Sequence, residues 1–237
     1  MDKISFHMAS FPPREKALEE VVKSILPQCD ELHIYLNNYT RVPAFLLQPK
    51  IKIYRSQDEI GDLGDVGKFY NCEKWRGYCF TVDDKIIYPS DYTKTMIAAI
   101  EKYGRQAVIS LHGRLTKPNC TSYYRDFEKS FRCLDAVIES EFAHVLGTGV
   151  LAWHSDTFRI DLSAFKTSNM SDVWFSVALQ KAMIPGLILK HRARWIKLST
   201  LQDNRLSISA SCSNKDTVQT KVVNSINWII NTCPLQL

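Results

Sequence analysis

The chain has 237 residues, of which 45% are hydrophobic and 23% are charged, an ordinary composition for a folded globular protein. Its formal net charge of +5 suits anionic ligands or an acidic membrane surface, but it is too small to indicate a nucleic-acid-binding protein. No apolar run approaches the roughly 20 residues of a membrane span, and no secretory signal opens the sequence. We therefore expect a cytoplasmic protein, at most peripheral at the inner face of the plasma membrane.

The first third of the sequence alternates predicted strands with a predicted helix. Strands are indicated over residues 4–8, 31–36 and 51–54, and apolar residues at helical spacing predict a helix over residues 14–26. The double proline at 12 and 13 cannot continue the first strand and suits the start of the helix. This order with short connections predicts a mostly parallel α/β sheet flanked by helices.

A glycine-dense stretch, residues 61–69, follows the third strand. It does not match the phosphate loop GxxxxGK[ST], because its spacing differs and no Ser or Thr follows the lysine. Asp65 and Lys68 lie three residues apart, so they would share one face of a helix. A binding segment and a flexible turn explain this stretch equally well.

The next predicted strand ends in two adjacent carboxylates, Asp83 and Asp84, and Pro89 is predicted to open a helix over residues 89–103. Ligands of open α/β sheets bind beyond the carboxyl ends of strands. Ionised carboxylates accept hydrogen bonds and favour hard cations, so the pair suits a ribose hydroxyl or a divalent cation. From these residues alone, an Asp-rich turn is an equally good explanation.

The second half of the sequence adds three candidate features. A predicted strand over residues 107–111 ends in His112, and the polar segment 114–141, with aromatic residues among its charges, is either a mobile cover for a substrate or a surface loop. The strand-like run 145–153 is interrupted by Gly147, Thr148 and Gly149, which indicates a bulge or the close approach of a ligand or another backbone.

The remaining elements are two helices and a strand. Ser171 is predicted to cap a helix over residues 171–183, with Asp172 in its first turn, where the helix dipole favours an acid. A strand over residues 186–190 leads into a basic cluster, and residues 200–216 have loop composition. An amphipathic helix is predicted over residues 217–232, where it would close the core or rest on a partner or membrane.

Taken together, six stretches resemble bacterial capsule-type glycosyltransferases of the GT-A fold, and they are similar to the N-acetylglucosaminyltransferases that build heparosan capsule. The stretches are MASFPPR at 8–14, DVGKF at 65–69, DDKIIYPSDY at 83–92, ISLHG at 109–113, LGTG at 146–149 and DVWFS at 172–176, followed by Trp195. Each is weak alone, but all six occur in order over residues 4–196. The resemblance implies one GT-A domain over residues 1–237, with a nucleotide-binding half (1–115), an acceptor and sugar half (116–200) and a C-terminal loop and helix (201–237).

The resemblance further implies transfer of N-acetylglucosamine or another N-acetylhexosamine from a UDP-sugar to a growing capsule or lipopolysaccharide chain. The acceptor would be a glycan, with uronate-bearing chains among the candidates, and other polysaccharide synthase subunits at the inner membrane would be partners. The implied donor-binding residues are Ser10, Arg14, Asp65, Lys68, Asp83, Asp84, Lys85, His112, Gly147, Thr148 and Gly149, and the implied acceptor-binding residues are Trp174, Arg194 and Trp195. Asp172 would be the catalytic acid near the acceptor hydroxyl, as general base if the reaction inverts configuration and as an orienting or charge-stabilising group if it retains configuration.

A Mn²⁺ or Mg²⁺ ion is also implied, held by Asp84 with His191 and neutralising the diphosphate. Lys85 stands where the relatives have the third acid of an acidic triplet. It either pairs with the diphosphate or points away while Asp84 holds the ion, and we favour the second arrangement. The alternative function is a non-catalytic or catalytically impaired GT-A subunit of a polysaccharide synthase complex, which binds nucleotide or glycan and supports an enzyme partner.

Overall fold

The computed structural model describes residues 2–201 and 216–232. Within these residues the strands are β1 Ile4–Ser10, β2 Glu31–Leu36, β3 Ile51–Arg55, β4 Tyr78–Asp83, β5 Ile86–Ile87, β6 Val108–Ser110, β7 Gly113–Thr116, β8 Phe127–Phe131, β9 Glu141–Phe142, β10 Val145–Leu146, β11 Val150–His154, β12 Gly186–Ile188 and β13 Lys197–Leu198. The helices are α1 Glu15–Ile25, α2 Tyr92–Lys102, α3 Ser171–Ala182 and α4 Thr217–Asn224. No helix in these two ranges is long and apolar enough to cross a lipid bilayer.

The main sheet has the strand order β3-β2-β1-β4-β11-β6-β12-β9. Its first four strands are mutually parallel, β12 is parallel to β6, and β11 runs antiparallel between β4 and β6. The predicted mostly parallel α/β sheet is thus confirmed. Strands of such a sheet are buried on both faces, which explains the nearly continuous apolar run of β4.

Helices cover both faces of the sheet. Alternate residues of β4 point to opposite faces, so Phe80 and Val82 pack with the apolar stripes of α1 and α2, whereas Cys79 packs with Trp153 and with Phe175 of α3. The helical spacing read for α1 is confirmed, since its buried residues are Ala17, Leu18, Val21, Val22 and Ile25. These two apolar layers hold the strand ends in fixed positions.

Two predicted helices have different bounds in the structure. Helix α2 begins at Tyr92 rather than Pro89, because Tyr92 N–H donates to the Pro89 carbonyl in a turn that follows the pairing of β5 with β13. Helix α4 ends at Asn224 rather than at residue 232. The indole N–H of Trp228 donates to the Val223 carbonyl at 2.9 Å and so satisfies a carbonyl at the helix end. Most of the predicted loop over residues 200–216 lies outside the described residues.

The polar segment 114–141 contains more regular structure than the sequence predicted. Its strands β7 and β8 pair with each other, and β7 also pairs with β10 in a small separate sheet. Three of its aromatic residues pack around one cation: the Arg114 guanidinium lies 4.2 Å from the ring centroid of Tyr123, 5.6 Å from that of Tyr124 and 5.5 Å from that of Phe127. This segment is therefore fixed to the body of the protein.

Candidate active site

The candidate site lies at the carboxyl ends of β1 and β4. The chain passes from β1 to β2 and β3 on one side and then returns to β4 on the other side of β1, so the connections diverge between β1 and β4. Such a switch point is where open α/β sheets bind ligands. A cavity of about 470 Å³ lies there, lined by Ala9, Ser10, Phe11, Arg14, Asn37, Asn38, Asp62, Gly64, Asp65, Lys68, Asp83, Asp84, Lys85, Ser168 and Asn169.

Seven of the residues predicted to bind a donor line this one cavity: Ser10, Arg14, Asp65, Lys68, Asp83, Asp84 and Lys85. Asn37 and Asn38 line the cavity without having been predicted as site residues, although both follow the carboxyl end of β2 and the strand-end rule points to them. Asn169 was not predicted either, and its side-chain oxygen accepts a hydrogen bond from Asp65 N–H at 3.2 Å. These two residues are 104 positions apart, so no local pattern predicts the contact.

Asp83 lies between two lysines. Lys68 Nζ donates to its Oδ1 at 2.6 Å, and Lys85 Nζ lies 3.6 Å from its Oδ2. Burial alone would raise the pKa of the Asp83 carboxyl, but the attraction of Lys68 and Lys85 outweighs burial and holds this pKa well below its usual value. The same attraction outweighs burial at Lys68 and raises its pKa. Asp83 and Lys68 are therefore both charged, and they stabilise each other.

Asp84 has a different environment. Its Oδ2 accepts a hydrogen bond from Ser10 Oγ at 2.8 Å, and its Oδ1 lies 4.0 Å from Arg14 Nη1. Burial raises the pKa of the Asp84 carboxyl to about 6, although Arg14 and the Ser10 hydroxyl act in the opposite direction. Adjacent carboxylates with pKa values displaced in opposite directions are typical of functional sites.

Asp65 connects the cavity to helix α3. Its Oδ2 accepts hydrogen bonds from Ser171 N–H at 3.1 Å and from the Ser171 hydroxyl. The predicted N-cap role of Ser171 is therefore wrong: Ser171 is the first helical residue, and the Asp65 carboxylate takes up its N–H instead. Burial raises the pKa of Asp65 despite the attraction of Lys68. Asp65 Oδ1 is buried and has no hydrogen-bond partner among residues 2–201 and 216–232.

The two glycines between β10 and β11 allow side chains to approach the backbone closely. A Cβ atom on Gly149 would lie 2.5 Å from Asp83 Cγ, and one on Gly147 would lie 2.8 Å from His112 Cβ and Cδ2. Neither distance is sterically possible. Close approach does occur at both glycines, but the approaching groups are the side chains of His112 and Asp83 and not a backbone segment or a ligand as predicted. Burial lowers the pKa of His112, although Asp172 attracts its charged form.

Asp172 is fixed by the residue between these glycines. Its Oδ1 accepts hydrogen bonds from Thr148 N–H at 2.7 Å and from Thr148 Oγ1 at 2.6 Å. The predicted position of Asp172 in the first turn of α3 is confirmed. No hydrogen bond reaches Asp172 Oδ2 within the described ranges, so that oxygen can accept a proton or hydrogen bond from a ligand hydroxyl. Five predicted site residues lie outside the cavity lining: His112, Gly147, Thr148, Gly149 and Asp172. They are connected to it, because Gly149 lies against Asp83, and Thr148 contacts Ser171, which hydrogen-bonds to Asp65.

Four other predicted residues do not line the cavity. Trp195 is only 8% exposed, and its indole N–H donates to Asp91 at 3.1 Å, so its side chain packs in the core and not at the cavity, and its contact with an acceptor stays a prediction. Arg194, whose N–H donates to the Leu134 carbonyl, and Trp174, half-buried on α3, also lie outside the lining. His191 forms an isolated β-bridge with Val137, and its Nδ1 contacts the Leu189 carbonyl at 2.7 Å.

These side chains do not fit the divalent metal ion that the resemblance implies. Nowhere in residues 2–201 and 216–232 do three His, Cys, Asp or Glu side chains form a group that could hold a metal. His191 is not part of the cavity, and Asp83 is already paired with two ammonium groups. The arrangement in which Lys85 points away is wrong, because the Asp83 carboxylate attracts its ammonium group into the cavity.

Comparison with solved structures supports the fold. The chain is similar to the crystal structure of S. aureus TarS residues 1–349, with 11% identity, 81% of this chain and 59% of that chain covered, and a TM-score of 0.51. Similarity to the crystal structure of S. aureus TarS covers 81% of this chain and 36% of that chain at 11% identity and a TM-score of 0.51. A complex of TarS 1–349 with UDP-GlcNAc matches at 12% identity, with 81% and 57% covered and a TM-score of 0.48.

The chain thus spans less than two thirds of the TarS chains that it resembles. No protein-family model and no curated protein sequence matches it. Together with the sheet order, the similarity to TarS identifies the fold as α/β of the GT-A type.

Proposed function

We propose that this chain is a glycosyltransferase that binds a UDP-sugar in the cavity at the ends of β1 and β4 and transfers its sugar to a growing bacterial surface polysaccharide. The sugar would be N-acetylglucosamine or another N-acetylhexosamine, and the acceptor would be a capsule or lipopolysaccharide glycan. The observation that carries the proposal is the convergence of Arg14, Lys68 and Lys85 with Asp83 and Asp84 at a topological switch point.

The lining of the cavity matches the chemistry of a nucleoside diphosphate. The ammonium group of Lys85 and the guanidinium of Arg14 suit the negative diphosphate. The buried, unpaired Oδ1 of Asp65 can accept a hydrogen bond from a base N–H or a ribose hydroxyl. Asn37 and Asn38 add polar groups at the end of β2, on the same rim. A volume of about 470 Å³ is in the range of small-molecule sites.

In the transfer step, the acceptor hydroxyl oxygen bonds to the anomeric carbon. The bond from that carbon to the diphosphate oxygen breaks, its electron pair leaves with UDP, and the hydroxyl proton is released. Asp172 is the group we assign to the acceptor hydroxyl, because Thr148 fixes one of its oxygens and leaves the other for a ligand. It takes the proton if the reaction inverts configuration, and it orients the acceptor or stabilises a cationic sugar if the reaction retains configuration.

UDP release tests this function. The protein would be incubated with several UDP-sugars and glycan fragments, with and without Mn²⁺, and free UDP would be measured. We expect UDP release that depends on the glycan for at least one UDP-N-acetylhexosamine. Clear UDP binding without turnover of any donor would contradict the enzyme assignment and favour the non-catalytic subunit of a polysaccharide synthase.

A further inference from the structure

Lys85 lies beside the Asp83 carboxylate, at the sequence position where the resemblance places the third acid of a metal site. It directly follows the two carboxylates at the end of β4, and its ammonium group lies 3.6 Å from Asp83 Oδ2. Lys68 faces the other oxygen of the same carboxylate at 2.6 Å. A divalent cation at Asp83 would therefore meet two positive charges at close range, and it would have to displace at least one of them.

Asp84 cannot supply a full set of ligands by itself. It is only 8% exposed, and its two oxygens face the Ser10 hydroxyl at 2.8 Å and the Arg14 guanidinium at 4.0 Å. An ion bound there would replace a hydrogen bond and would lie next to the Arg14 charge. Among the described residues, no three acidic, histidine or cysteine side chains come close enough together to hold an ion, although Asp62 and Asp65 line the same cavity.

The two lysines differ in their availability to a ligand. Lys68 is 4% exposed and makes a short hydrogen bond to Asp83, whereas Lys85 is 26% exposed and its 3.6 Å contact is longer than a hydrogen bond. Because Lys68 alone can keep Asp83 paired, the Lys85 ammonium group can turn to a phosphate oxygen without leaving a carboxylate unpaired. Its three N–H groups and flexible stem suit this role.

We propose that Lys85 replaces the metal ion, so that this protein binds the diphosphate of its donor through the Lys85 ammonium group and without a divalent cation. This inference rests on the proposed function, because it assumes that the cavity binds a nucleoside diphosphate. Lys85 is then the residue that distinguishes this cavity from a donor site built around an acidic triplet and a metal ion.

Calorimetric titration with UDP, in EDTA and in excess Mn²⁺, tests this inference. We expect the wild-type protein to bind UDP with the same affinity in both conditions. Lys85→Ala should weaken UDP binding by about 10- to 100-fold, the effect of losing one charge-assisted contact. The binding of uridine, which has no phosphate, should be unchanged and reports whether the variant is folded. Lys74→Ala is the control, since Lys74 is 71% exposed and outside the cavity lining.

A second variant, Lys85→Asp, reverses the charge at the same position. It should lose UDP binding in EDTA and recover it in Mn²⁺, because it supplies the missing acid beside Asp84. Wild-type binding that requires Mn²⁺, or unchanged UDP affinity in Lys85→Ala, would overturn the inference while leaving the proposed function intact. Absence of UDP binding by the wild-type protein in both conditions would instead overturn the proposed function, and the inference with it.

Discussion

Replacing Asp84 with asparagine should stabilise this protein at neutral pH and have little effect in acid. The pKa of Asp84 rises from an ordinary 3.8 to about 6 in the folded state, chiefly because the carboxyl is buried. A carboxyl whose pKa is raised by folding costs nothing below its unfolded-state pKa, and its cost grows as the pH rises from that value to the folded-state pKa and is complete above it. The difference between a pKa of 3.8 and one of about 6 corresponds to a cost of about 3 kcal/mol for ionising Asp84 in the folded protein, and solvent screening reduces this cost only slightly because the residue is 8% exposed.

Urea unfolding of the wild-type protein and Asp84→Asn, measured from about pH 4 to pH 8, tests this magnitude. The free energies of unfolding should agree near pH 4, and the variant should become more stable by about 3 kcal/mol above pH 7. Asp58→Asn, on a side chain that is 59% exposed, is the control for losing one negative charge at the surface. A variant that is equally or less stable at pH 8 would refute the reasoning, since it would mean that Asp84 is ionised without cost.

Three further substitutions test the residues around Asp84. Lys68→Met should lower the free energy of unfolding by about 2 to 4 kcal/mol in urea denaturation, because it removes one partner of a buried pair while Lys85 still faces Asp83. A decrease in the free energy of unfolding below about 0.5 kcal/mol, the size found for solvent-exposed ion pairs, would contradict this expectation. Gly149→Ala should abolish most UDP binding in calorimetry, since the new Cβ would lie 2.5 Å from Asp83 Cγ; unchanged affinity would show that Asp83 does not position the ligand. Asp172→Asn should reduce UDP-release turnover on the order of 100-fold with UDP affinity nearly intact, and unaltered turnover would remove Asp172 from the site.

Much of the fold and of the candidate site follows from local sequence patterns. The apolar spacing of α1 and the alternation of polar and apolar residues in β2 reflect the burial of one face of each element. A few neighbouring residues are enough to show this pattern. Ser10, Asp83 and Asp84 are close together because each follows or ends a parallel strand, and parallel strands bring their carboxyl ends to one edge. The sequence therefore predicts both the sheet and the edge of the sheet that carries the cavity.

What the sequence could not predict depends on partners that are distant in the chain. Trp195 resembles a binding aromatic in its basic surroundings, but Asp91 and the core take up its side chain. The end of α4 is set by Trp228, and the cap of α3 is set by Asp65. In each case the local pattern is compatible with two structures, and a contact made elsewhere in the chain selects between them.

The same explanation applies to Lys85. Its position in the sequence predicts either contact with the diphosphate or an outward-facing side chain, and only the positions of Lys68 and Asp83 distinguish the two. Lys68 saturates one oxygen of Asp83 and leaves the other to attract Lys85. Lys85 departs from the acidic triplet of the family that the sequence resembles. It nevertheless lines the cavity that the other motifs of that family identify.

The central claim is that the cavity between the ends of β1 and β4 binds a nucleoside diphosphate sugar, and a crystal structure of the protein with UDP tests it most directly. We expect the diphosphate within hydrogen-bond distance of Lys85 Nζ and a polar group of the nucleoside at Asp65 Oδ1. UDP bound elsewhere on the protein, or an empty cavity at saturating UDP, would contradict the claim.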